Sequence, residues 1–92
     1  MQAAEIRVTG RVQGVGFRYF TMNAAMPLQL KGWVKNMPDG SVLIRAAGSE
    51  AAMTSFREAV RQGPSFGRVD QMEEKALSAE EAAALVPFQV TY

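Results

Sequence analysis

A chain of 92 residues, 48% of them hydrophobic and 21% charged, has the composition of one small globular domain over 1–92, neither polar enough for a disordered chain nor apolar enough for a membrane protein. Ten Lys and Arg against nine Asp and Glu leave a formal charge of +1, too weak a field to gather nucleic acid, so any attraction for anions must be local. With no Cys and no His, the chain lacks disulfides, thiolate nucleophiles and the side chain that most often serves as general base or metal ligand.

The opening MQAAEIRVTG has neither the basic start nor the apolar stretch of a secretory signal. No apolar run nears the ~18 residues of a membrane span, so the expectation is a cytoplasmic protein. Residues 5–12, EIRVTGRV, set Ile6, Val8 and Val12 against Glu5, Arg7, Thr9 and Arg11, the period of a half-buried strand. Gly10 breaks the inward row, as a bulge or a close backbone approach would require. Over 18–28 the spacing of Tyr19, Met22 and Met26 predicts a short helix with those three on its apolar face, ended or bent at Pro27. Strand character returns in KGWVKN, 31–36; Pro38, Asp39 and Gly40 supply turn chemistry, and 41–47 places Val42, Ile44 and Ala46 on one face, completing a hairpin.

Ser49 is the expected N-cap of a second helix with the stripe Met53, Phe56 and Val60, stopped by Gly63 and Pro64. In 68–77, Val69, Met72 and Ala76 fit a helix period and a bulged edge strand equally; topology selects the strand. SAEE, 78–81, is a capping-box sequence for one short turn, and Phe88, Val90 and Tyr92 alternate as a last strand. The order β-α-β-β-α-β with an added C-terminal strand predicts an α+β, ferredoxin-like sandwich, a mainly antiparallel sheet with two helices on one face. The six methionines read as core filling, Phe17 and Trp33 as packing aromatics, and Glu73, Glu74 and Lys75 as a solvated edge.

VQGVGFRYF, 12–20, admits several readings. After Gly14 and Gly16 the third dinucleotide-fingerprint position is Tyr19, and no Lys-Ser or Lys-Thr pair follows as a Walker loop requires. GVGFRYF also superficially resembles the RNA-recognition signature, but Val15 stands where a stacking aromatic belongs, Arg18 replaces an inward valine, and the segment follows the first strand. An anion cradle is the remaining functional reading: a glycine turn before a helix N-terminus gathers backbone N–H groups, and Arg18 adds a two-pronged phosphate contact. A plain tight turn with Arg18 in solvent is the bland alternative.

A second stretch, GWVKNMPDGSV at 32–42, places Asn36 beside the hairpin. With GRVQGVGFR at 10–18, Ala25, Leu28, Leu30, GWVKN, DGSV at 39–42, Gly63, Pro64, Val69, Phe88, Val90 and Tyr92, the sequence resembles the acylphosphatase family along nearly its whole length. That resemblance implies a hydrolase that splits acyl phosphates into a carboxylate and inorganic phosphate, without metal or organic cofactor. It implies phosphoryl binding by the backbone amides of Gln13, Gly14, Val15, Gly16, Phe17 and Arg18, with the Arg18 side chain binding phosphate and Asn36 positioning the attacking water. The implied partner is a small acyl phosphate, with no nucleic acid and no membrane, and the expected state is a monomer.

Lack of His suits such chemistry. The carboxylate leaving group has a conjugate acid of pKa roughly 4, so it departs without a general acid. Phosphoryl transfer through a loose transition state is served mainly by placement and fixed positive dipoles. A non-catalytic phosphate or carbamoyl-phosphate module is the runner-up, since similar domains stand at the front of larger carbamoyl-transferring proteins; a chain ending where the domain ends favours a stand-alone enzyme. Two departures stand out. Gln29 occupies a place where the family often has Gly, and LSAEEAAALVP has no clear family counterpart.

Overall fold

The structure, a computed structural model, describes residues 1–92. In chain order it contains β1 (Gln2–Arg11), α1 (Phe17–Ala25) running into a 3-10 turn (Met26–Leu28), β2 (Lys31–Asn36), β3 (Val42–Gly48), α2 (Glu50–Gln62), β4 (Arg68–Ala76), α3 (Ala79–Ala83) and β5 (Gln89–Thr91). The strands form one sheet in the order β4-β1-β3-β2-β5, antiparallel except for the β2–β5 pair. This is the ferredoxin-like α+β fold with an appended edge strand. No helix is long and apolar enough to cross a membrane.

The core explains the alternation. Ile6, Val8, Val34, Val42 and Ile44 point from three central strands into one cluster with Phe17 and Ala25 of α1 and Met53, Phe56 and Val60 of α2, so both long helices cover the same sheet face. Ser49 caps α2 as its sequence predicts, accepting from the Ala52 N–H at 3.1 Å. Ser78 and Glu81 form the full capping box of α3, and Arg45 on β3 donates to Glu81 at 3.1 Å, holding that turn to the sheet.

Register accounts for the ambiguous fourth strand. Thr9 pairs with Gln71 but Gly10 with Val69, leaving Asp70 as an extra residue, so Val69 and Met72 both reach the core side at a spacing of three. Gly10 is required there: a Cβ on it would collide with the Arg68 carbonyl. Glu74 shares the helix side and takes a two-pronged contact from Arg57 of α2 at 2.9 Å, while Lys75 on the other side lies 3.4 Å from Glu5.

Two expectations are corrected. The buried face of α1 is Phe17, Thr21 and Ala25, not Tyr19, Met22 and Met26; Tyr19 and Met26 are exposed and Met22 only partly covered. Thr21 enters the core because its hydroxyl donates to the Phe17 carbonyl at 2.9 Å, leaving no unpaired polar group. Of the six methionines only Met53 is fully buried, so methionine is not the core filling here.

Pro27 lies inside the 3-10 turn as the helix stop requires, and the residue that follows the turn carries the strain: Gln29 has φ 57° and ψ 34°, the only non-glycine at positive φ. A left-handed residue with a Cβ costs about 1–2 kcal/mol, offset in part by the extra freedom glycine has when unfolded. Gln29→Gly is expected to stabilise by about 1 kcal/mol, roughly 4–8 °C in Tm, read by thermal unfolding. An unchanged or lower Tm contradicts the strain assigned to Gln29.

Candidate active site

Where β1 ends, Val12 makes the last inward contact and the chain turns through Gly14 (φ 76°) and Gly16 (φ 79°) into α1. Gly16 is the N-cap of α1 and offers no side-chain acceptor, in contrast to Ser49 and Ser78 on the other helices. None of the backbone N–H groups of residues 14–19 donates to another protein group; the first that does is Phe20, to the Gly16 carbonyl at 3.0 Å. Left-handed Gly16 followed by right-handed helix is the pairing that turns successive N–H groups into a concavity, and the helix terminus adds partial positive charge. A Cβ at Gly14 or Gly16 would meet nothing within 4 Å, so glycine is needed there for its φ and not for crowding.

The hairpin is pinned against this turn. Gln13 Nε2 donates to the Met37 carbonyl at 2.8 Å and the Ser41 carbonyl at 2.9 Å, either side of the turn that follows β2. Asn36, the last residue of β2, pairs with Val42 and borders a cavity of about 100 Å³ lined by Val12, Gly14, Gly16, Phe17, Arg18, Tyr19 and Asn36. Arg18 is the single charged residue of that lining and has no carboxylate partner; Arg11 and Arg61 also lack one, while Arg7, Arg45, Arg57 and Arg68 are paired. Its guanidinium lies 4.6 Å from the centre of the Tyr92 ring. Asn36 Oδ1 is buried with no hydrogen-bond partner, a state that costs about 1–3 kcal/mol unless a donor reaches it. A cation and free N–H donors around a small space, with the carboxamide residue Asn36 in its lining, suit a tetrahedral anion with a water beside it. The lining has no carboxylate, imidazole or thiolate, so it offers no ligand set for a metal. A wider hollow between Glu5, Arg7, Glu73, Glu74 and Lys75 mixes charges and lies on the strands, without a helix N-terminus.

Gly14, Gly16, Phe17, Arg18 and Asn36 thus meet on one cavity. Gln13 and Val15 do not line it; the Gln13 side chain is turned to the hairpin. Val12 and Tyr19 line it although neither was expected to. Val12 is legible as the inward residue nearest the turn; for Tyr19 the larger apolar stripe of α1, which points to the wrong face, hides the signal.

A charged network stiffens the hairpin behind Asn36. Arg7 Nη1 donates to Asp39 Oδ2 at 3.0 Å and Ser41 Oγ at 2.9 Å, while Asp39 Oδ1 accepts from the Ser41 hydroxyl at 2.6 Å and the Ser41 N–H at 3.0 Å. The hydroxyl and then the N–H of Ser41, assisted by Arg7, hold the Asp39 carboxyl below its ordinary pKa. Because the folded pKa is the lower one, the stabilisation is complete above the ordinary value of 3.8 and is lost as pH falls through the folded value. The gap in urea midpoint between the parent and Asp39→Asn is therefore expected to be constant above about pH 5 and to close in more acid solution. A gap unchanged down to pH 2 contradicts the role given to the carboxylate.

The acylphosphatase family model matches residues 4–89. A protein of Archaeoglobus fulgidus named acylphosphatase is 47% identical over 92 residues, covering all of both chains. The crystal structure of acylphosphatase from Bacillus subtilis superposes with a TM-score of 0.92 at 43% identity, again over all of both chains. The crystal structure of T. kodakarensis HypF matches all of this chain with 12% of its own, at 32% identity and a TM-score of 0.85.

Proposed function

The chain belongs to the acylphosphatase family, a hydrolase acting on acyl phosphates, and from that premise we propose that Arg18 and the backbone N–H groups of the 13–18 turn hold the phosphoryl group while Asn36 orients the attacking water. One observation carries the assignment: Arg18, whose guanidinium has no carboxylate partner, and Asn36, whose buried Oδ1 has no hydrogen-bond partner, line the same cavity of about 100 Å³ at the uncapped start of α1. Gly14, Gly16, Phe17 and Arg18 supply the wall. Gln13 acts from behind, setting the turn against the hairpin, and Val15 contributes through its main chain alone.

In this reading the phosphoryl oxygens sit on the N–H groups and the guanidinium, which stabilise charge as it spreads over them. The water donates one O–H to Asn36 Oδ1, which aims its lone pair at phosphorus opposite the departing carboxylate. The carbon-side oxygen leaves with the electrons of the P–O bond, and the proton of the water passes to a phosphate oxygen. No side chain of this site changes protonation.

The match to only 12% of the HypF chain shows this fold as one part of a larger protein, and it favours one rival, a phosphate or carbamoyl-phosphate binding module without turnover. Phosphate release from acetyl phosphate in excess chelator separates them. Turnover at the same rate with and without chelator is expected; binding without turnover supports the rival, and loss of turnover in chelator overturns the metal-free chemistry. The proposal also takes residues 1–92 as one domain, monomeric and cytoplasmic, bound to neither nucleic acid nor membrane; the near-neutral charge supports the first of those exclusions.

A further inference from the structure

The cavity is too small for a whole substrate. Its volume of about 100 Å³ is well below the ~300 Å³ at which small-molecule pockets begin, and compares with the ~30 Å³ share of each molecule in liquid water. A phosphoryl group and a water fill it, so the acyl half must lie outside, on whatever surrounds the mouth. Two rings stand there. Tyr19 lines the cavity and is 58% exposed, and Tyr92, 83% exposed, lies over the guanidinium of Arg18. The third strongly exposed aromatic, Phe66, belongs to the loop before β4 at the same end of the sheet, where Arg68 pairs with Arg11. Isolated apolar side chains on a surface need no explanation, but these two rings touch the cavity or its only cation.

Resting on the phosphoryl site assigned above, we propose that Tyr19 and Tyr92 form an aromatic subsite for the acyl group, which selects flat, apolar acyl groups, the phosphates of aromatic carboxylic acids above all. Exposed rings reward a planar apolar partner by stacking and edge contact while giving a short aliphatic acyl group little to touch. Because Tyr92 also packs on Arg18, an aromatic acyl group there extends a stack that begins at the guanidinium, joining acyl recognition to the group that holds phosphate.

Two measurements test this. The ratio of kcat/KM for an aromatic acyl phosphate to that for acetyl phosphate cancels any general damage to Arg18. It is expected to fall roughly threefold to tenfold in Tyr19→Ala and in Tyr92→Ala, the factor one aromatic contact supplies, and to be kept in Tyr19→Phe. Separately, the parent should bind phenylphosphonate more tightly than inorganic phosphate, with the preference shrinking in both alanine variants. Ratios and preferences that stay put overturn the subsite while leaving the hydrolytic reading intact. Absence of turnover on both acyl phosphates, with the phenylphosphonate preference present, overturns the hydrolytic reading and supports the subsite.

Discussion

Arg18→Lys is expected to fold like the parent and to lose about a hundredfold or more in kcat/KM on acetyl phosphate. The guanidinium offers a planar fork of donors, and at this site it lies against Tyr92, which holds the fork in one orientation. An ammonium keeps the charge but is a single point with mobile donors, so it cannot meet two phosphoryl oxygens at fixed geometry. Removing one fixed oxyanion donor costs on the order of 3 kcal/mol, about a hundredfold in rate. Stability should hardly change. Arg18 makes no ion pair, and its contact with an exposed ring is worth about 0.5–1 kcal/mol. Steady-state kinetics with circular dichroism melting reads both quantities. A lysine variant with near-parental turnover removes Arg18 from the chemistry, and a melting temperature lowered by more than about 10 °C makes it a structural residue.

The fold was legible wherever each burial period stood alone. Ile6, Val8 and Val42, Ile44 gave strands, Met53, Phe56 and Val60 gave α2, and Ser49 and Ser78 marked starts that the structure keeps. Legibility failed on α1, where two stripes compete. Tyr19, Met22 and Met26 are larger and more apolar than Thr21 and Ala25, so hydrophobicity points to the wrong face. What decides is closeness: the small Ala25 and the internally bonded Thr21 fit beneath the sheet, with Phe17 anchoring the first turn. The face that hydrophobicity favours is thereby turned outward, which brings Tyr19 to the cavity.

β4 is the converse case. Its spacing of three between Val69 and Met72 imitates a helix because Asp70 is looped out opposite Gly10, a long-range pairing invisible in ten residues read alone. Connectivity gave the right answer where periodicity did not. For the site, the sequence supplied the donors but not their tether. The sequence groups Gln13 with the anion-binding turn, yet its side chain bonds two carbonyls of the hairpin. The closeness of Arg18 and Tyr92, 74 positions apart, follows from β5 joining the sheet beside β2 in parallel, which no local pattern reports.

Asn36→Ala distinguishes orientation of water from binding of phosphate, and a fall of about a hundredfold in kcat is expected with inorganic phosphate binding changed by no more than about threefold. Oδ1 is an acceptor, so it repels phosphate oxygens and attracts the O–H of water; its loss should spare the bound anion and scatter the nucleophile. The alanine also leaves no polar group stranded, because Oδ1 has no protein partner to lose. Stability is therefore expected to stay level or rise slightly, which excludes misfolding as the source of lost rate. Asn36→Asp sharpens the comparison: it keeps an acceptor but places a negative charge on a cavity whose single charge is Arg18, so phosphate binding should weaken sharply. Inhibition by inorganic phosphate and single-turnover rates, measured on parent and both variants, read binding and chemistry apart. If Asn36→Ala weakens phosphate binding as much as it slows turnover, the carboxamide grips the anion and the water must be oriented by another group.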